Sequence, residues 1–181
     1  NKLRQISMEY FILSQDEPVT EAIKPLGISR LIKNYGLTTE SWEGQNDLPE
    51  QFYLDEDGGD EYVDFITEPV PLVSSQLKEL FQKFDAQIFF KPVVLADPKA
   101  MRQELYWLIN PLSCDCIVAQ SEFNKNGSIK RLVIDQCKTE GKWIFKVAGI
   151  MEHWIIVNLG VAEAILRREL SGVKFIRVDS I

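Results

Sequence analysis

The sequence predicts an α+β fold in which a mixed, largely antiparallel sheet includes two strand–helix–strand units, at about residues 71–95 and 154–178. Short runs of aromatic and β-branched residues recur along the chain and are typical of strands. Two longer stretches have the apolar spacing of amphipathic helices. The 181 residues are 45% hydrophobic and 26% charged, which is ordinary for a globular protein and suits a single domain at residues 8–181.

The amino-terminal part is predicted to hold one strand followed by polar loop. Residues 9–14 (EYFILS) form this strand, and Pro18 ends it because proline cannot continue a hydrogen-bonded ladder. Residues 36–50 are polar and turn-rich, so they are predicted to be mostly loop. Met8 resembles a natural start, and residues 1–7 are therefore expected to be upstream or cloning-derived residues.

An acidic segment lies between two short predicted strands. Residues 51–54 (QFYL) and 62–66 (YVDFI) flank the run DEDGGDE, which contains a Gly-Gly pair. Two aromatic strands around such a turn predict a hairpin with an acidic tip. The carboxylates of this tip belong to Asp55, Glu56, Asp57, Asp60 and Glu61.

The first strand–helix–strand unit begins with the extended, apolar residues 71–73. Ser74 or the serine after it is expected to cap a helix over residues 76–84. The strand 87–95 (QIFFKPVVL) follows, and Pro92 within it indicates an edge position or a bulge. The apolar positions of the helix are Leu77, Leu80, Phe81 and Phe84.

The second unit repeats this order about 84 residues later in the chain. Residues 154–157 form a strand, Asn158 caps a helix running to Leu170, and Gly172 closes it. Residues 173–178 alternate like a half-buried strand. The apolar side of the helix holds Val161, Ala164, Ile165 and Leu166. An ancient duplication and independent use of one common motif explain the two units equally well.

The segment between the units is predicted to be rich in strands. Residues 100–105 favour helix and residues 106–109 favour strand, and Asn110-Pro111 ends either one. Residues 142–147 (KWIFKV) alternate basic and apolar side chains, so one face of that strand is expected to be exposed to solvent. Two further strands are predicted at 115–118 and at 128–135, after the turn 124–127.

The charge of the chain limits the classes of partner. Lys and Arg number 20 and Asp and Glu number 27, which gives a formal net charge of −7. This sign repels nucleic-acid phosphates and anionic membranes and favours a basic protein partner. The sequence contains no run of about 18 apolar residues and no signal-peptide pattern. Because an odd count of three cysteines is also typical of reduced thiols, a cytoplasmic protein is expected.

The sequence contains no recognisable catalytic or cofactor-binding motif. A Ser-His-Asp or Cys-His site would have to use His153, the single histidine, and no nucleophile elbow or catalytic cysteine signature accompanies it. His153 is therefore interpreted as a rim or half-buried residue near a strand end. Glycine-rich phosphate-binding loops are absent as well. We expect no enzyme, no catalytic residue and no cofactor.

Two groups of residues in the sequence contain possible metal ligands, and neither is predicted to bind a metal. Cys114, Cys116, Cys137 and His153 would supply four zinc ligands, but the C-x-C spacing departs from the usual pattern, and burial in the core is favoured. The acidic run lacks the twelve-residue pattern and flanking helices of an EF-hand calcium loop. A solvated tip or a docking surface for a basic partner fits this run better.

Several segments of the chain, taken together in their order and spacing, resemble a known protein family. They are residues 8–17, 71–78, 106–116, 121–123, 130–135, 144–149 and 172–175. The set resembles immunity protein family eleven of bacterial polymorphic toxin systems, formerly a domain of unknown function. The resemblance covers nearly the whole chain from Met8 and is weakest at residues 28–60. It implies a protein that binds and neutralises a cognate toxin, and it carries over no catalytic residues.

The leading hypothesis is therefore a cytoplasmic immunity protein that presents acidic groups to a basic toxin. The proposed partner-binding surface holds Asp55, Glu56, Asp57, Asp60 and Glu61, with Glu50 and Asp64 extending it. Two alternatives remain. One is a hydrolase-like enzyme that uses carboxylates in a cleft between the two units. The other is a structural module that self-associates through an open strand edge.

Overall fold

The computed structural model describes residues 8–16, 22–28, 30 and 49–181. Residues 1–7 and nearly all of the predicted 36–50 loop lie outside the described residues. The helices are α1 (Ser75–Phe84), α2 (Gln136–Thr139) and α3 (Leu159–Leu166). The strands are β1 (Tyr10–Gln15), β2 (Glu50–Tyr53), β3 (Phe65–Ile66), β4 (Leu72–Ser74), β5 (Phe89–Asp97), β6 (Arg102–Asn110), β7 (Ser113–Cys114), β8 (Glu122–Phe123), β9 (Ile129–Arg131), β10 (Val133–Ile134), β11 (Ile144–Val147), β12 (Ile155–Asn158) and β13 (Val173–Ser180).

The described strands form two large sheets and one small one. The six-stranded sheet has the order β10-β13-β1-β12-β11-β7, and the five-stranded sheet has the order β2-β5-β6-β4-β3. The third sheet pairs β8 with β9. Most pairs are antiparallel, and the parallel ones are β10–β13, β11–β7 and β2–β5. The predicted α+β class with mixed, mainly antiparallel strands is confirmed, but the strands are divided among separate sheets.

The two chain segments 71–95 and 154–178 lie in different sheets but have the same local arrangement. In the five-stranded sheet, β6 lies between β4 and β5 and is antiparallel to both. In the six-stranded sheet, β1 lies between β12 and β13 and is antiparallel to both. Helices α1 and α3 therefore each connect two strands that run in the same direction, and one antiparallel strand lies between those two strands.

The helix caps are the residues that the sequence predicts. The Ser74 side chain accepts a hydrogen bond from the backbone N–H of Leu77 at 3.2 Å. The Asn158 side chain accepts one from the backbone N–H of Val161 at 3.0 Å. Each bond satisfies an amide at the helix start that has no partner within the helix. The buried positions of α1 are Leu77, Leu80 and Phe81.

The predicted end of the last helix is wrong. Helix α3 stops at Leu166, whose side chain is 69% exposed, and it does not reach Leu170. Gly172 lies well beyond the helix end, with a φ of +73°. A Cβ atom at this position would lie 2.6 Å from the Cβ of Val63. Gly172 therefore permits a close approach between two distant chain segments and does not close the helix.

The predicted acidic hairpin is also wrong. Strand β2 pairs in parallel with β5, and β3 pairs with β4. Residues 22–24 form several of the backbone hydrogen bonds of the acidic run. Asp55 N–H donates to the carbonyl of Lys24 at 2.7 Å, and Gly59 N–H donates to that of Ala22 at 3.1 Å. The strands on either side of the acidic run therefore pair with β5 and β4, and not with each other as the Gly-Gly turn suggests.

The region between the units departs from the prediction in its strand boundaries. Strand β6 is extended from Arg102 onward because nine consecutive residues pair with β5, which overrides the helix preference of 100–105. The strand expected at 115–118 is reduced to an antiparallel bridge between Ile117 and Ile134, and the preceding strand β7 pairs with β11. The strand expected at 128–135 breaks at Leu132, between β9 and β10.

Two further details concern single residues within strands. Strand β11 has no fully wet face, since Ile144 and Phe145 are both buried and Lys146 is half-buried. Pro92 pairs with Trp107 of β6 and precedes Val93, where pairing with β2 begins. At Pro92, therefore, β5 has a described neighbour only on the β6 side. Such an edge-like position suits proline, because proline has no N–H group to donate to a second strand.

Within the described residues, three apolar clusters hold the sheets together, and single strands contribute side chains to a cluster on each of their two faces. In β1, Tyr10 and Ile12 face one cluster, whereas Phe11 and Leu13 face another. The central cluster joins both large sheets and both longer helices through Leu13, Phe65, Val73, Leu77, Leu80, Phe81, Ile88, Ile109, Ile144, Ile155, Val157, Val161, Ala162 and Ile165. No helix in the described part of the chain has the length and apolar character needed to cross a bilayer.

Candidate functional site

The acidic run is a braced loop whose side chains face solvent. The Asp55 carboxylate accepts a hydrogen bond from the N–H of Asp57 at 3.0 Å. Glu56 forms an ion pair with Lys99 at 3.0 Å, and both side chains are exposed. Asp57, Asp60 and Glu61 are exposed and form no ion pair with another described residue. The backbone is thus fixed while most of the negative charge remains accessible.

This loop forms one wall of an acidic groove of about 950 Å³. Leu26, Tyr53 and Leu54 contribute apolar surface to it, and the side chains of Leu26 and Tyr53 are 49% and 58% exposed. Exposed aromatic side chains next to polar groups are enriched at protein interfaces. The charged side chains that line the acidic groove are Asp55, Glu56, Asp57, Asp60, Asp97 and Lys99.

The charge balance of the acidic groove favours a cationic occupant. Its described lining has five carboxylates and one ammonium group, and Lys99 is already paired with Glu56. A lysine or arginine side chain has a cationic end and an apolar stem. Such a side chain matches both the carboxylates and the exposed ring of Tyr53.

The structure brings together only part of the predicted acidic surface. Glu61 lies outside the lining of the acidic groove. Glu50 is 3.6 Å from Lys91, in an ion pair. Asp64 accepts hydrogen bonds from the Ser74 hydroxyl at 2.6 Å and from the Ser171 N–H at 2.7 Å. Asp64 therefore joins the start of α1 to the segment before β13, and its carboxylate does not extend a docking surface.

Sequence reasoning missed Tyr53, Leu26 and Asp97 as members of the acidic groove. Tyr53 is in register with Ala96, so the parallel pairing of β2 with β5 brings Asp97 close to the acidic loop. These residues are far apart in sequence, and no local pattern indicates their proximity. The one local signal for an exposed Tyr53 is its position next to Phe52 in a predicted strand. Adjacent side chains of a strand point to opposite faces, so one of these two rings is expected to face solvent.

A second region contains His153, at the seam between the two large sheets. His153 is exposed, lies two residues before the start of β12, and lines two adjoining pockets of about 580 and 340 Å³. The larger seam pocket also contains Asp16, Glu68 and Glu152. The smaller seam pocket contains Asn110, Ser113, Lys146 and Glu152. This concentration of titratable groups was not predicted from the sequence.

The environment of His153 favours its neutral form. Loss of solvent around the ring lowers its pKa, the positive charge of Lys146 lowers it further, and Glu68 opposes both effects. Within the described residues, no hydrogen bond or ion pair joins the imidazole to another side chain. A nucleophile and a base must lie within hydrogen-bond reach of each other, and the described part of the chain has no such pair at His153.

Two of the three cysteines, Cys114 and Cys116, occupy the buried positions expected of packing residues. Cys114 and Cys116 are buried in the cluster on the outer face of the six-stranded sheet, and Cys137 is exposed. Burial, together with the neighbouring Cys114, raises the pKa of the Cys116 thiol to about 12. Among the described residues, no three His, Cys, Asp or Glu side chains form a cluster that could hold a metal ion.

Comparison with known proteins adds no assignment to these two regions. No protein-family model matches the chain, and no curated protein matches it significantly. The resemblance to immunity proteins therefore rests on the sequence segments themselves.

Proposed function

We propose that this chain is an immunity protein that binds and neutralises a cognate toxin, and that its acidic groove receives a basic surface of that toxin. The observation that carries the proposal is the combination of five carboxylates with the exposed side chains of Tyr53 and Leu26 in one groove. The order and spacing of the segments that resemble immunity proteins support the same role. The partner is a protein, and neither nucleic acid nor membrane suits the charge of the chain.

The proposed mechanism is steric and electrostatic, without chemistry at the acidic groove. A net charge of −7 and the local carboxylates steer a basic partner toward the groove. The loop is held by backbone hydrogen bonds from Asp55 and Gly59 to residues 22–24, so little ordering is required on binding. Tyr53 and Leu26 then exclude water from the contact. A toxin bound in this way is neutralised when its own functional surface is covered.

A charge-reversal pair tests this proposal. The partner to use is the product of the adjacent gene, checked first by co-purification and by rescue of growth. Replacing Asp57→Lys and Asp60→Lys changes two exposed side chains that form no ion pair with described residues. We expect association to slow by at least about tenfold at low salt and the difference to shrink at high salt.

A second pair controls for net charge. Glu79→Lys and Asp115→Lys change the formal charge by the same amount, and both residues are exposed and lie outside the acidic groove. The control pair should change the association rate by less than about threefold. Equal slowing in both variants would assign the effect to overall charge, and no slowing in either would refute the proposed docking surface.

The hydrolase alternative has one observation in its favour. The larger seam pocket lies between the two sheets and is lined by the carboxylates of Asp16, Glu68 and Glu152. If these groups performed the neutralising reaction, Glu68→Gln would abolish growth rescue while leaving toxin binding intact. If neutralisation occurs by binding, Glu68→Gln leaves both unchanged.

The self-association alternative would use one of the strands at the ends of the sheet orders. In the described part of the chain these are β2, β3, β7 and β10 of the two large sheets, together with both strands of the β8–β9 pair. Sedimentation across a range of concentrations separates this alternative from toxin binding. A mass that stays constant with concentration excludes an open-edge module of this kind.

A further inference from the structure

The smaller seam pocket, of about 340 Å³, contains buried polar groups that the proposed toxin binding does not use. It lies between the end of β6 and the segment that runs from β11 to β12. Its walls are largely apolar and are formed by Pro71, Ile109, Val147, Ala148, Ile150 and Ile155. An apolar pocket with a few convergent polar groups is the usual form of a small-molecule site.

The first of these groups is the Asn110 amide, at the end of β6. The residue is 2% exposed, and the Lys146 ammonium donates a hydrogen bond to its Oδ1 at 2.5 Å. This bond fixes the orientation of the amide, because an ammonium group can only donate. The Nδ2 group is therefore a donor, and it is buried with no hydrogen-bond partner among the described residues.

The second group is the Glu152 carboxylate, on the segment before β12. Its Oε1 accepts a hydrogen bond from the backbone N–H of Ile129 at 2.7 Å. Its Oε2 is buried and has no hydrogen-bond partner among the described residues. Buried polar atoms are nearly always paired, so an unpartnered acceptor on a residue that lines the pocket calls for a donor that the described chain does not supply.

The charges of the pocket restrict the ligand. Lys146 supplies a cation beside the Asn110 donor, and Glu152 supplies an anion with a free acceptor oxygen. A simple anion would be repelled by Glu152, and a simple cation would be repelled by Lys146. A ligand that carries both charges satisfies both ends of the pocket.

We propose that the smaller seam pocket binds a small zwitterionic α-amino acid. The ligand carboxylate accepts hydrogen bonds from Asn110 Nδ2 and the Lys146 ammonium, and the ligand ammonium donates to Glu152 Oε2. The apolar walls receive a short side chain. This site is separate from the acidic groove, so its test is independent of toxin binding.

The test uses the full chain and a panel of named probes. Glycine, L-alanine and L-serine are titrated to about 10 mM, and binding is read by saturation-transfer NMR and by thermal unfolding. At least one amino acid should bind saturably and raise Tm by about 3 °C near tenfold excess over its Kd. Acetate carries only the carboxylate and methylammonium only the ammonium group, so neither should raise Tm.

Two variants locate the binding in this pocket. Glu152→Gln keeps an acceptor for the Ile129 N–H but removes the charge that faces the ligand ammonium, and it should weaken binding by at least about tenfold. Lys146→Met removes the charge that faces the ligand carboxylate, and it should weaken binding by a similar factor. Glu140→Gln is the matched control, since Glu140 is exposed and lies outside the pocket, and it should bind as well as the native protein.

Several results would overturn the proposal. Absence of saturable binding by every amino acid in the panel, with only a long-lived water detected near Asn110, would show that water satisfies these groups. Equal binding of acetate would show an anion site. Unchanged binding in Glu152→Gln would place the ligand elsewhere, and this variant decides the matter even if Lys146→Met fails to fold.

Discussion

At the scale of single residues, the protein uses polar side chains to join chain segments that are far apart in sequence. The Tyr10 hydroxyl donates to the carbonyl of Thr139 at 2.6 Å, across 129 positions. The Tyr106 hydroxyl donates to the carbonyl of Val63 at 2.8 Å. Burial is the main reason that the pKa of both tyrosines is raised, so both hydroxyls remain protonated donors at physiological pH.

His153 gives a residue-scale prediction because it is the only histidine in the chain. Its pKa in the fold is lower than the value of 6.5 for an unperturbed imidazole. As pH falls from 6.5 through this lower value, the unfolded chain binds a proton before the folded one does. The free energy of unfolding should therefore decrease across that interval and stay level with respect to His153 above it.

The measurement is an NMR titration of the single imidazole, which should show a midpoint below 6.5. Lys146→Met removes one of the causes and should move the midpoint upward. His153→Gln should remove the corresponding slope from the pH dependence of unfolding. A midpoint at or above 6.5 in the native protein would contradict the described environment of the ring.

At the scale of elements, local chemistry determines where both longer helices begin and where α1 ends, but it does not locate the end of α3. Ser74 and Asn158 cap their helices as predicted, because a cap involves residues only three positions apart. The expected stop at Gly172 fails, because that glycine serves a contact with Val63 that sequence spacing does not reveal.

Gly172 and Gly141 form a matched pair for testing this contact. Both have a positive φ, but a Cβ added at Gly141 meets no atom within 4 Å, whereas one added at Gly172 meets Val63. Gly141→Ala should cost about 1 kcal/mol in the free energy of unfolding, the backbone penalty alone. Gly172→Ala should cost about 2–4 kcal/mol, because the clash adds to that penalty.

Denaturant unfolding of the two variants measures the difference. Val63→Ala in the Gly172→Ala background should recover part of the loss, since it removes the atoms that the added methyl group meets. Equal costs at both glycines, or no recovery with Val63→Ala, would show that the segment before β13 shifts freely to avoid the clash.

At the scale of the whole molecule, the first described strand lies at the centre of the larger sheet. Strand β1 pairs with β12 and β13, which are the last two strands of the chain. Its side chains enter two apolar clusters, one on each face of the sheet. The six-stranded sheet is therefore complete only when both ends of the described chain have been brought together.

Hydrogen exchange tests this arrangement. Amides of β1 should exchange only through global unfolding, because their hydrogen bonds lie between two neighbouring strands. Amides of the two-stranded sheet β8–β9 should exchange with a free energy at least about 2 kcal/mol lower, since a two-stranded sheet has little independent stability. Exchange of β1 as fast as that of β8 would contradict the central position of β1.

The candidate site was predicted less completely than the fold. The sequence identified the acidic loop, and the structure places Asp55, Glu56, Asp57 and Asp60 in one groove. It did not identify the aromatic and aliphatic surface of that groove or the polar groups of the seam pockets. Lys146 was expected on a wet strand face, yet it is half-buried and bonded to Asn110, 36 positions away.

The sequence by itself determined the fold class, most of the strands, both helix caps and the acidic loop, since each depends on spacing within a few residues. The tertiary structure alone decided that β2 lies beside β5, that Gly172 meets Val63 and that Asn110 and Glu152 share a pocket. The physical reason is that central strands such as β1 are apolar on both faces. A continuous apolar run then indicates burial without specifying a neighbour, and only packing across the whole chain selects the partners.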